Sequence, residues 1–299
     1  MATTTGLTPL AVPEHFASPL LQYHASQDPQ NALFDLVSCP SGTGEMITRL
    51  KEDSIDVAIA LTEALIAGIA KESGKAPFKI VGTFVMTPLD WAVSTGPGRS
   101  FESIQDLKGE TMGISRIGSG SQIMANVMSF NHGWQIDDLQ FKVMNTFEAL
   151  RNGVQVDGST AAFMWERFTT KPYTDKGEVR TIGHVLTPWP SWLIAARADC
   201  DQNRLLEFLH GLGHWTQEFD SEKSRQGPAI EYIQGTLGYP VTDIQDWIKT
   251  CRWSHEPWIV ERTTIEKTLA TLEQCQVIKK EERDLPSVVN TEVATLKGS

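Results

Sequence analysis

Thr111-Met112-Gly113-Ile114-Ser115-Arg116-Ile117-Gly118-Ser119-Gly120-Ser121-Gln122-Ile123-Met124 runs from a β-like segment through a Gly/Ser turn into an apolar-periodic helix. Gly118 and Gly120 let the backbone approach a ligand closely. Ser119 or Ser121 is placed to cap the first free amides of the helix. Those amides and the helix dipole together form a cradle for phosphate, sulfonate or carboxylate. An ordinary strand-to-helix turn with a serine cap is the plainer alternative. The balance moves because the construction recurs: Phe34 to Cys39 reads as a strand, and Ser41-Gly42-Thr43-Gly44-Glu45 leads into a helix ending near Asp53, with Thr43 as its cap.

Working outward, residues 7–86 alternate strand and helix. Leu7 to Val12 is a short strand, followed by the loop Pro13-Glu14-His15-Phe16 and a helix that starts at Pro19. Ile55 to Ala60 is a near-continuously apolar strand, Thr62 caps the helix after it, and Lys79 to Met86 is a fourth strand. Such alternation predicts a parallel sheet covered by helices. Ligands of such sheets bind beyond the strands' carboxyl ends, here at the loops around His15, Thr43, Glu63 and Asp90. From Trp91 the chain leaves that sheet. A second alternating unit follows: strands at Met112–Ser115, Gln140–Met144, Ser159–Trp165 and Arg180–Leu186, with helices at 122–132 and 146–152. Trp192 to Ala196 carries the chain back, and from Asp201 onward it reads as mostly helical. The polar stretch after Lys279 and the start, Met1 to Thr5, read as loosely ordered. The fold class is α/β: two lobes, each a mixed, mainly parallel sheet flanked by helices, with a helical C-terminal segment. Two crossings between lobes suit a protein that closes a cleft around a small ligand.

A formal charge of -11 without a basic stripe excludes nucleic acid as the expected partner. No apolar run reaches the length of a membrane span. Met1 to Gly6 has neither a basic nor an apolar leader region, so the expectation is cytoplasmic residence. Cysteines 39, 200, 251 and 275 lack metal-site spacing and read as reduced thiols.

Four pieces in order, Gly42-Thr-Gly-Glu-Met46, Ser54-Ile-Asp-Val-Ala-Ile-Ala-Leu-Thr-Glu63, Asp106-Leu-Lys-Gly109 and the Gly118–Ser121 turn, resemble a type 2 periplasmic solute-binding protein. The subgroup is that of the sulfonate, taurine and nitrate binders and the thiamine-pyrimidine-synthesis proteins, and the likeness spans residues 7–240. It implies a discontinuous lobe of 1–93 plus 195–299, a lobe of 94–194, and hinge crossings near 91–96 and 190–197. It further implies an anionic head held by the helix starts at Thr43–Gly44 and Ser119–Gly120–Ser121, with Thr62 and Glu63 lining the cleft. The lysine and histidine of the pyrimidine synthases match Ala60 and Ala64 here, and their cysteine-rich iron motif has no counterpart. Enzyme chemistry of that kind is therefore not expected, and no cofactor is. An ABC-type permease would be a partner only of an exported protein. The tracts Trp165–Pro172 and Thr187–Pro190 are similar to an uncharacterised cytosolic branch.

Among single residues, Trp91, Trp165 and Trp189 fall at strand ends or lobe crossings, to enclose a ligand or to pack. Glu166 would fix a ligand amine or hydroxyl, or pair with Arg167. His15 is a ligand contact or a base, or a structural histidine. Arg116 would aid an anion or stand solvated. His210 and His214 have i, i+4 metal spacing but no third ligand nearby. The expected function is a small-molecule binding protein for an anionic ligand; the alternative is a cytosolic enzyme of cofactor metabolism using the same cleft.

Overall fold

The structure, a computed structural model, describes residues 7–12, 14–72, 75–281 and 285–298. Met1 to Thr5, expected to be loose, and Pro13 of the first loop lie outside the described residues. The chain forms two compact units: Met1–Thr87 with Trp189–Leu269 and Lys280–Ser299, and Pro88–Pro188 with Ala270–Lys279.

The first unit begins with β1 (Pro9–Ala11), α1 (Ser18–Ser26), β2 (Val37–Ser38), α2 (Thr43–Lys51), β3 (Val57–Leu61), α3 (Thr62–Ala70) and β4 (Phe78–Val85). Pro19 sits in the first turn of α1, where its missing N–H costs nothing. Val57 to Ala60 are all buried, as a strand covered on both faces requires. Two expected caps prove to be something else. Gly42, at φ 78°, is the residue before α2, and Thr43 is already helical. Leu61 precedes α3 directly, so Thr62 is its first helical residue, and the Thr62 hydroxyl donates instead to the Pro190 carbonyl. In both places the residue before the helix, Gly42 or Leu61, has no side-chain acceptor to offer the first amides.

The second unit contains β5 (Asp90–Thr95), β6 (Thr111–Ile114), α4 (Gly120–Asn131), β7 (Gln140–Val143), α5 (Phe147–Gln155), β8 (Ala162–Glu166), α6 (Arg167–Asp175) and β9 (Arg180–Leu186). Its sheet has the order β7-β6-β8-β5-β9. β6 runs parallel to β7 and β8, and β5 antiparallel to β8 and β9. Because Asp90–Thr95 pairs within this sheet, the chain changes unit at Thr87/Pro88, ahead of residue 94. Helix α6 was not expected; Pro172 inside it and its Thr-rich, polar sequence conceal it, since a Pro breaks a helical pattern on paper.

The chain returns through β10 (Trp192–Arg197), which inserts between β3 and β4, antiparallel to both, with Ile194 opposite Ile59 and Gly82. The resulting order is β2-β1-β3-β10-β4. There follow α7 (Gln202–Phe219), α8 (Glu222–Arg225), α9 (Pro228–Leu237), α10 (Val241–Thr250), β11 (Ile259–Glu261), α11 (Arg262–Gln274), α12 (Leu285–Val288) and β12 (Thr295–Lys297). α8 and α9 are parted at Gly227, with Pro228 opening the second. The expectation of a loose end after Lys279 is corrected. Val288, Val289, Val293 and Ala294 are buried, and the Asn290 amide donates to the Ile80 carbonyl at 2.8 Å. Apolar residues scattered through polar sequence drive that docking. β12 pairs with β11 in a two-stranded sheet that the sequence does not announce. Among the described residues, no helix is long and apolar enough to cross a membrane.

Candidate functional site

In each unit one strand runs into its helix without a loop, and the backbone there is nearly the same: Leu61 at φ -57°, ψ 130° and Glu166 at φ -56°, ψ 135°. Each junction carries a buried glutamate. Glu63 has no exposed surface; its Oε2 accepts from the Trp189 indole N–H at 3.1 Å, while Oε1 has no partner. Burial pushes its carboxyl up to about 7, against weaker opposing help from hydrogen bonds. Glu166 is the N-cap of α6 and accepts from the Thr169 amide at 2.6 Å and the Thr169 hydroxyl at 2.9 Å. Burial raises it, too, to about 7. The alternative pairing of Glu166 with Arg167 is not made: Arg167 reaches Asp90 at 3.2 Å, and His184 meets the other oxygen of Asp90 at 3.0 Å.

The first unit gathers Thr43, Thr62, Glu63 and Trp189 at the carboxyl end of β3. The Leu61 amide donates to the Thr43 hydroxyl at 3.4 Å and the Thr62 amide to the Ser191 carbonyl at 3.1 Å. Gly44 is half-buried in the first turn of α2. His15 stands apart from these four. Its ring is buried, stacked on Phe16 (centroids 4.6 Å) and met edge-on by Tyr239 (4.8 Å) and Trp247 (4.2 Å). Neither ring nitrogen has a hydrogen-bond partner, and burial lowers its pKa to about 3, so the imidazole is neutral at physiological pH. Packing against the rings of Phe16, Tyr239 and Trp247 accounts for it.

In the second unit Trp91 lies on β5 directly opposite Glu166, buried, with its indole N–H unpartnered. Trp165 stacks on Phe147 at 5.0 Å, beside the core cluster of Leu150, Val154, Phe163 and Val179. The Gly/Ser turn folds as its sequence predicts. Ser119 is the N-cap of α4 and accepts from the Gln122 amide. The Ser121 hydroxyl is turned inward, accepting from the Ser115 amide at 3.0 Å and lying 2.8 Å from the Ser119 hydroxyl. Gly118 takes φ 74° and donates its amide to Gln122 Oε1 at 2.6 Å. The side chains thus shape the loop, and the anion-binding capacity lies in the first amides of α4, which have no carbonyl four residues back within the helix.

Electrostatics separate the two Gly-rich helix starts. α2 has its own carboxylate, Glu45, in the first turn, which already answers the dipole. α4 has no acidic residue there. Beside it Arg116 is exposed and, among the described residues, pairs with no carboxylate, and Ile117 is 71% exposed. A free cation, unanswered amides and an exposed aliphatic side chain adjoin one another.

His210 and His214 pack on Trp258 and Trp215. Among the described residues no His/Cys/Asp/Glu group is arranged to hold a metal.

The model of the Ca3427-like PBP family matches residues 91–185, which fall within the second unit. Over nearly the whole length, the chain is similar to the Candida albicans CA3427 gene product, which defines a family of proteins exhibiting the generic periplasmic binding protein structural fold. Identity is 31%, 98% of this chain and 96% of that one are covered, and the TM-score is 0.83. The chain belongs to this CA3427 family. Its fold is shared more widely. The periplasmic aliphatic sulphonate binding protein SsuA of Escherichia coli superposes with TM-score 0.73 at 16% identity, over 96% of this chain and 92% of that one. The alkanesulfonate-binding protein SsuA of Xanthomonas axonopodis pv. citri, bound to MOPS, does so with TM-score 0.75 at 14% identity, over 99% and 100%. No curated protein matches the chain in sequence. Family membership establishes the periplasmic-binding-protein fold.

Proposed function

We propose that this CA3427-family protein is a small-molecule binding protein whose ligand carries an anionic head, seated at the start of α4. The observation that carries the reading is Arg116, which among the described residues pairs with no carboxylate, beside a helix start with no acidic residue of its own. The amides of Gly120 and Ser121 would supply the directional bonds and Arg116 the charge. Ile117 gives an apolar surface for a ligand's hydrocarbon part. The two SsuA proteins of the same fold, one bound to a sulfonate buffer, support a sulfonate as the first candidate head. Thr43 and Gly44 at α2 are the second, weaker seat, because Glu45 opposes an anion there. Glu63, Trp189, Trp91 and Glu166 offer buried polar and aromatic groups for the rest of the ligand. Residence in the cytoplasm goes with this reading, and four free thiols are in keeping with it.

Isothermal titration with matched alkyl sulfonates, phosphates and carboxylates tests the proposal. One class should bind, and Arg116→Gln should weaken it about tenfold, the usual worth of a partly exposed charge-assisted hydrogen bond. Raising salt should weaken wild type more than the variant. Binding indifferent to Arg116→Gln, or no binding by any class, would overturn the anion seat. Conversion of the ligand during titration would favour the enzyme alternative.

A further inference from the structure

The chain re-enters the first unit through Trp189-Pro190-Ser191, and all three residues are tied to the first turn of α3. The Trp189 indole N–H donates to Glu63 Oε2 at 3.1 Å, the Thr62 hydroxyl to the Pro190 carbonyl, and the Thr62 amide to the Ser191 carbonyl at 3.1 Å. The Ser191 amide in turn donates to the carbonyl of Thr87, where the chain leaves this unit, at 3.0 Å. Thr62, Glu63, Trp189 and Ser191 are all buried. The tethers through Thr62 keep one charge state at any ordinary pH. The tether through Glu63 does not.

The surroundings of Glu63 offer a charge no partner. It is the one ionisable residue of α3, and neither β3 nor Trp189–Ser191 carries another. Of the elements packed on α3, α12 has no charged residue. Lys79 of β4 donates to the Pro286 carbonyl, and Arg197 at the far end of β10 pairs with Asp53 and Asp199. In α2, Arg49 pairs with Glu45 and Lys51 with Glu72. An ionised Glu63 would keep the Trp189 bond with its other oxygen unanswered, and it regains water only by leaving the indole.

We infer that Glu63 is a proton-operated pin on the return crossing: protonated, it holds Trp189 against α3; ionised, it turns out to water and frees the Trp189–Ser191 segment. This does not depend on the anion seat. The pinned form keeps its proton up to about 7 and the released, solvated form only to about 4.5, so release grows as pH rises between those values and levels off above them. From pH 5 to pH 7 the released fraction should rise about fortyfold.

Amide hydrogen exchange of the full chain, corrected for the intrinsic effect of pH, tests the pin. Protection of the Thr62 and Ser191 amides should fall about fortyfold from pH 5 to pH 7 in wild type. It should stay level in Glu63→Gln, whose side-chain oxygen still accepts the Trp189 N–H. Low urea should leave the exchange of these two amides unchanged, because a local opening exposes little surface, while exchange in the middle of β10 accelerates. The Trp189 indole N–H resonance, assigned by its loss in Trp189→Phe, should shift over the same pH range in wild type and not in Glu63→Gln. Level protection in wild type, the same fall in Glu63→Gln, or an indole resonance that ignores pH would each overturn the pin. A urea response equal to that of β10 would overturn it too, since Glu63 would then act on global stability alone.

Discussion

Glu63 shows how one residue can be set by its surroundings. The Leu61–Thr62 junction leaves no loop, so the second residue of α3 is driven into the protein, and its carboxyl loses water on every side. In the unfolded chain this group titrates near 4.5, and in the folded protein near 7. Between those values the native state holds a proton that the unfolded state releases, so this residue's contribution to stability falls as pH rises from 4.5 to 7. Glu63→Gln cannot ionise. Its stability relative to wild type should therefore improve by about 3 kcal/mol from pH 4.5 to pH 7.5, as read by urea denaturation at both values. A pH-independent difference would show that the carboxyl is solvated. The sequence pointed to Glu63 by position alone, as the residue after an apolar strand. That its carboxyl meets Trp189, 126 positions away, follows from β10 entering the sheet beside β3 and has no local signature. That Arg116 pairs with no carboxylate among the described residues is equally invisible beforehand, because it depends on which carboxylates the fold leaves out of reach.

At the scale of elements, close approach sets several identities. A methyl added at Gly82 in β4 would lie 2.0 Å from the Pro257 carbonyl oxygen, whose acceptance of the Thr83 amide at 2.7 Å fixes that segment against the strand. Gly82→Ala should cost about 3 kcal/mol, since the obstacle is backbone and cannot rotate away. Gly98→Ala, where nothing lies within 4 Å, should leave the urea midpoint nearly unchanged. Elements with strong periodicity or clear punctuation were legible: β3, β4, the Gly/Ser turn with its Ser119 cap, and α7. Those that depended on context were not. α6 hides behind Pro172, β11 and β12 are three residues each, and the Thr43 and Thr62 caps fail because the residue before each helix does the work of entry.

For the molecule as a whole, the last residues matter more than their polarity suggests. Val288, Val289, Val293 and Ala294 are buried, and residues 285–298 carry β12 as well as the contact of Asn290 with Ile80. Truncation after Lys280 should lower stability by about 4 kcal/mol on the area of those side chains, seen as a fall in the urea midpoint. An unchanged midpoint would mean the tail adds nothing. The alternation of strand and helix made both units legible, but their seams were not, since a crossing is defined by which sheet a strand joins and not by its composition.

The central position of β10 has a temporal consequence. β3 and β4 are not paired with each other; the strand between them is made only after residue 191 has been added to the chain. The five strands of the other sheet are contiguous in sequence from Asp90 to Leu186. During synthesis that inserted sheet is complete first, while the apolar faces of β3 and α3 wait uncovered for their partner, the interval in which a nascent chain most needs a chaperone.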